Sequence, residues 1–189
     1  MQRILTAVLD RALAAAPEAE YRLVGTASSV LRGISIPAGD VDLLLRQRGD
    51  VDRFGAAVMK IPGATCLSAP APLDRPRQYF ARYLVDGVTV EVSTVEVETE
   101  SDAMECFGSG PWTHFDLVPC GHHRVPAVAT ELRLITELTR DRPERSGPLL
   151  SYLHERGCDV ALIERGMAAR RTPEARQAEV LGQLSRAPA

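Results

Sequence analysis

The sequence predicts a mixed α/β (α+β) fold: one β-sheet flanked by helices, followed by a helical C-terminal extension. Three observations carry this. Asp86-Gly87 stands between two alternating runs within residues 77–97, a strong hairpin signal. "DVDLLLR" (40–46) reads as a strand set between two segments of helical period. From about residue 129 the apolar spacing becomes helical and stays so to the end. The expected organisation is an α/β domain over 1–128 with a helical segment over 129–189 packed on it.

The elements follow in order. Residues 2–16 place Ile4, Leu5, Val8, Leu9, Ala12 and Leu13 on one helical face. "YRLVG" (21–25) reads as a short strand ending in glycine. "SSVLRG" (28–33) reads as one or two helical turns with a serine cap. "DVDRFGAAVMKI" (50–61) reads as a helix capped by Asp50. "PGATCLSAPAPLDRP" is rich in turn residues, with room for one short strand. In the second arm of the hairpin Val88, Val90 and Val92 share one face, and Thr89, Glu91 and Ser93 the other. Residues 98–113 read as a polar, Gly-containing loop, and "FDLVPCGHHRVPAV" as a second, shorter hairpin. In the tail, Pro143, Pro148, Gly157 and Pro173 punctuate short helices.

Composition narrows the function classes. The chain has 189 residues, 45% hydrophobic and 25% charged, which suits a globular fold with a real core. No apolar run approaches the ~20 residues needed to span a bilayer. The N-terminus reads as an amphipathic helix and not as a signal peptide, so a cytoplasmic location is expected. Net charge is −3, with no basic block, which disfavours nucleic acid as a partner. Cys66, Cys106, Cys120 and Cys158 form no C-x-x-C pair, and reduced thiols are expected. "CGHHR" (120–124) lacks a second ligand pair at a usable spacing and reads as a hairpin turn rather than a zinc site.

One stretch carries chemistry: "VGTASSVLRGISIPAGDVDLLL" (24–45). Residues i and i+2 of a strand point the same way, so Asp40 and Asp42 project together. Two carboxylates that close repel unless a cation lies between them. Hard divalent cations such as Mg²⁺ suit such oxygens. Glu91 is the best third ligand, because it interrupts an apolar strand where an unpaired charge is costly, and three acids make a two-metal site. Upstream, Gly25 ends a strand just before a helix, an arrangement that lets phosphate approach backbone N–H groups. Thr26, Ser28 and Ser29 add hydroxyls.

These motifs resemble the signature of the DNA polymerase β-like nucleotidyltransferase superfamily. Val24, Gly25 and Thr26 stand at its first part, Asp40-Val41-Asp42-Leu43 at its second, and Glu91 in "TVEVS" at its third acid. The chain looks most like the small bacterial members, the antibiotic and minimal nucleotidyltransferases, and "RPER" (142–145) resembles their tail. The resemblance implies a nucleotidyltransferase-like sheet and transfer of a nucleoside monophosphate from an NTP, with ATP expected, to a hydroxyl acceptor. It implies Mg²⁺ at Asp40, Asp42 and Glu91, and nucleotide phosphates bound by Gly25, Thr26, Ser28, Ser29 and Arg32. Thr26 replaces a Gly or Ser, and Glu91 replaces the more usual Asp. Glu137 stands where many small members carry a phosphate-anchoring lysine, for which Arg32, Arg75, Arg77 or Arg140 would have to compensate. The alternative is a binding module on the same fold, such as an antitoxin-like partner. A purely structural α/β domain is the third reading. The acceptor and the oligomeric state are left open by the sequence.

Overall fold

The computed structural model describes residues 2–16, 18–74, 77–95, 103 and 110–185. Arg75, Cys106 and most of the expected 98–113 loop lie outside them. A seven-stranded mixed sheet forms the centre, in the order β3-β4-β5-β2-β1-β7-β6. Its strands are β1 (Tyr21–Val24), β2 (Asp40–Leu45), β3 (Thr65–Asp74), β4 (Arg77–Val85), β5 (Val88–Ser93), β6 (Phe115–Cys120) and β7 (His123–Val128). The helices are α1 (Gln2–Ala15), α2 (Gly25–Leu31), α3 (Arg48–Val58), α4 (Gly110–Thr113), α5 (Thr130–Thr139), α6 (Pro143–Arg156), α7 (Val160–Ala169) and α8 (Glu174–Leu184). No helix among the described residues is long and apolar enough to cross a membrane.

The β4–β5 hairpin forms where the sequence places it. Asp86 and Gly87 take φ of 50° and 79°, both left-handed, as a two-residue type I′ turn requires. That turn fixes Val85 opposite Val88 and sets the register of every later pair. Val88, Val90 and Val92 are buried on one face, together with Ala81, Tyr83 and Val85 of β4. The β6–β7 hairpin also forms, turning at Gly121-His122. β2 pairs antiparallel with β1 and parallel with β5, so it lies at the middle of the sheet. Parallel strands need a crossover, and residues 46–87 supply it with α3 and two further strands.

Several local expectations are corrected. In α1 the buried stripe is Leu5, Val8, Leu9, Ala12 and Leu13, while Ile4 is 51% exposed at the edge of the stripe in the first turn. α2 begins at Gly25, three residues earlier than expected, and no side chain caps it. α3 begins at Arg48 behind Gln47; Asp50 sits in its first turn, where the carboxylate still meets the positive helix end and pairs with Arg53. The turn-rich stretch after residue 62 contains the ten-residue strand β3. It is a mostly exposed edge strand with irregular register against β4, the one setting in which Pro70 and Pro72 are tolerated. Pro148 does not end a helix but lies inside α6. Burial of Leu149, Leu150 and Leu153 outweighs the about 3 kcal/mol that an interior proline costs.

α5 enters the core directly after β7. Leu132, Leu134 and Ile135 are at most 1% exposed, and so are two charged residues, Arg133 and Glu137, which pair one helical turn apart. Arg145 of α6 approaches the same carboxylate at 3.8 Å.

Candidate active site

Strand register brings the acids together. Asp42 pairs with Glu91 in the neighbouring parallel strand, and Asp40 pairs with Thr89. Directly paired residues face the same side of a sheet, so Asp40, Asp42 and Glu91 share one face. All three are partly exposed, in contrast to Val41, Leu43, Val90 and Val92, which point into the core between them. On the other side of β2, Asp42 pairs with Val24, the last residue of β1.

At that point the chain leaves the sheet. Gly25 has φ +64°, a left-handed conformation that glycine takes without steric cost. A Cβ at this position would lie 1.8 Å from Asp42 Oδ2 and 3.0 Å from Asp42 Cβ. The Asp42 carboxylate therefore occupies the space that any side chain at residue 25 would need. The glycine serves two ends at once: it turns the backbone into α2, and it seats an acid against the start of that helix.

The hydroxyls of α2 are placed unequally. Thr26 is 5% exposed, Ser28 is fully buried and Ser29 is 1% exposed. Ser28 Oγ donates to the Gly25 carbonyl at 2.8 Å, closing the first turn of α2. Ser29 Oγ has no hydrogen-bond partner among the described residues. The Arg32 guanidinium donates to the Ser28 carbonyl at 2.9 Å, the Ala127 carbonyl at 3.0 Å and Asp116 at 2.9 Å. It clamps α2 against β6 and β7 with only 5% of its side chain exposed. Arg77 opens β4 and Arg140 ends α5. Glu137 is fully buried with Arg133 and Arg145.

Sequence reasoning missed one residue of this face. Arg82 of β4 pairs with Glu91 of β5, and its Nη2 lies 2.6 Å from Glu91 Oε1. The signal was present: counting back four pairs from the Asp86-Gly87 turn puts residue 82 opposite residue 91. Arg82, Glu91, Asp42 and Val24 thus form one row across four strands.

The donor set is entirely carboxylate oxygen, which suits a hard divalent cation, and the Gly25 cradle leaves backbone beside it. The side chains are not drawn together into a coordination shell: among the described residues no three His, Cys, Asp or Glu side chains gather closely enough to hold a metal ion. Glu91 is turned to Arg82 instead. The residues fit a metal in kind, and Glu91 must change partner to use it.

No family model and no curated protein matches the chain. Solved structures do. The crystal structure of a "putative nucleotidyltransferase" from Thermotoga maritima is 17% identical, with a TM-score of 0.53 over 82% of this chain and 92% of that one. The crystal structure of ANT(2″)-Ia in complex with adenylyl-2″-tobramycin is 16% identical, with a TM-score of 0.59 over 89% and 98%. The solution structure of the antibiotic-resistance factor ANT(2″)-Ia is 14% identical, with a TM-score of 0.59 over 96% and 99%.

The chain has the nucleotidyltransferase fold.

Elsewhere in this nucleotidyltransferase fold, Trp112 packs as a structural ring. The Arg22 guanidinium lies 4.7 Å from its centroid and 4.0 Å from that of Phe115, and Arg46 lies 4.1 Å from Trp112. Arg22 also donates to the Pro111 and Trp112 carbonyls, which pins α4 to β1. At the β6–β7 turn, Asp10 Oδ1 accepts from the His122 backbone N–H at 3.0 Å and lies 3.7 Å from His123 Nε2.

Proposed function

We propose that this chain transfers a nucleoside monophosphate from an NTP, with ATP the expected donor, to a hydroxyl-bearing acceptor. The observation that carries this reading is the Asp42 carboxylate seated against Gly25, with Glu91 beside it in register. That geometry brings acids and a side-chain-free backbone turn to one place, as a bound metal–triphosphate needs. Asp40, Asp42 and Glu91 would hold Mg²⁺, which when bound neutralises the phosphates and the departing pyrophosphate. Gly25 and Thr26 receive the phosphates at the start of α2, with Ser28 and Ser29 completing that turn. Arg32 supports it from behind by fixing α2 to the sheet. Glu91 takes the proton of the acceptor hydroxyl as it attacks the α-phosphoryl group in line. Catalysis is then mostly positioning and charge stabilisation. Residues 1–128 act as the catalytic domain and 129–189 as a helical segment packed on it, in the cytoplasm.

The test uses α-³²P-ATP with Mg²⁺ and a panel of acceptors. Aminoglycosides come first, because ANT(2″)-Ia, of like fold, was crystallised with an adenylylated one. Label transfer that is lost in Asp42→Asn supports the reading; absence of Mg·ATP binding by calorimetry removes it.

Burial of Glu137 in an ion cluster, at the position where the family resemblance implies a lysine, favours a second reading: a binding module on the same fold. It predicts a stable complex with a partner protein and no label transfer.

A further inference from the structure

We infer that Arg82 is a positioning residue: it holds the Glu91 carboxylate as an internal counter-cation and yields it when a divalent cation binds. The inference rests on the metal-dependent reading above and adds to it the device that keeps the third acid in place before metal arrives. Glu91 sits on a strand whose flanking residues Val90 and Val92 are fully buried, and its own side chain is 25% exposed. A partly buried carboxylate there gains from a neighbouring cation. The β4–β5 register supplies one at 2.6 Å, from the strand on the far side of Glu91 from Asp42. Glu91 therefore stands between two claims: Arg82 on one strand, and the Asp40–Asp42 pair on the other.

The exchange is cheap by construction. The Arg82 side chain is 46% exposed, so its charge returns to water without a desolvation cost, and exposed ion pairs of this kind are weak. The guanidinium also lies 5.4 Å from the Phe80 ring centroid, on the same strand and face, so it keeps a favourable contact after Glu91 turns away. A buried partner in place of Arg82 would hold Glu91 too firmly to be displaced. A neutral one would leave the carboxylate unneutralised in the free protein.

Competition for one carboxylate has a measurable sign. Mn²⁺ is titrated into the free protein without nucleotide, followed by water-proton relaxation, for wild type, R82Q, R82K, E91Q and R82Q/E91Q. R82Q is expected to bind Mn²⁺ about 2- to 5-fold more tightly than wild type, the range an exposed ion pair supplies. R82K, which keeps the charge, is expected to return most of the way to wild type. In the E91Q background the R82Q change is expected to make no difference, because the residue acts through Glu91. Mn²⁺ binding that R82Q leaves unchanged or weakens overturns the role of Arg82 while the metal-dependent reading stands. An R82Q effect that persists in E91Q also overturns it, as a general field effect. Absence of Mn²⁺ binding in wild type and R82Q alike removes the metal-dependent reading and this role with it.

Discussion

At Gly25 one added methyl would do two kinds of damage. It would force a left-handed φ on an L-residue, and it would collide with the Asp42 carboxylate. Gly25→Ala is expected to lower stability by about 1–3 kcal/mol, seen in chemical denaturation, and to weaken Mn²⁺ binding because Asp42 is displaced. An Ala substitution at Gly33, also left-handed but with open space around it, is expected to cost stability without touching metal binding. A second residue-scale expectation concerns Cys120. Burial, and then the nearby Asp10 charge, push its thiol up to about 11, whereas Cys66 is exposed. At pH 8 an alkylating reagent is expected to label Cys66 and spare Cys120 in the folded protein, as mass spectrometry would report. The linkage has a definite sign. Unfolded Cys120 loses its proton near pH 9 while the folded thiol keeps it, so the folded state binds more protons between about pH 9 and 11. Its contribution to stability is full below pH 9 and falls as pH rises through that window. A Cys120→Ala variant would show a flatter stability profile there.

Elements show where pattern and packing part company. The hairpin at 86–87 and the stripe of α1 follow from turn chemistry and period, and both were legible. β3 was legible only as room for one short strand, because its prolines and small residues weaken the strand signal; its ten-residue length comes from the pairing edge that β4 offers. α5 is the sharper case. Its spacing marked a helix, but nothing local said that Arg133 and Glu137 would be at most 1% exposed. Buried ion pairs are costly to break and contribute little when intact. Glu137→Ala is therefore expected to destabilise by about 3–5 kcal/mol, since it removes the buried carboxylate that both Arg133 and Arg145 approach. Replacing Arg133 and Glu137 together by Met and Leu is expected to cost less than the single change. Urea denaturation of the three proteins makes the comparison.

For the whole molecule, ligand binding and stability are one measurement. If Mg·ATP occupies the acid row and the Gly25 turn, the melting temperature must rise with its concentration. The gain is about 2.7 kcal/mol at a hundredfold excess over Kd. Mg²⁺ with Asp42→Asn is expected to abolish that rise while leaving the unliganded melting temperature close to wild type. By itself the sequence determined most of the alternation of helix and strand, the hairpin turn, and the candidate acids and glycine, because each depends on a few neighbouring residues. Even the Arg82–Glu91 pair was implicit in it, since a two-residue turn fixes the register. Tertiary structure alone decided that Gly25 must be glycine for the sake of Asp42, that Arg32 is a clamp, and that Glu137 is a buried ion partner. Those facts depend on which distant side chain shares a volume or a charge, and no local period encodes that.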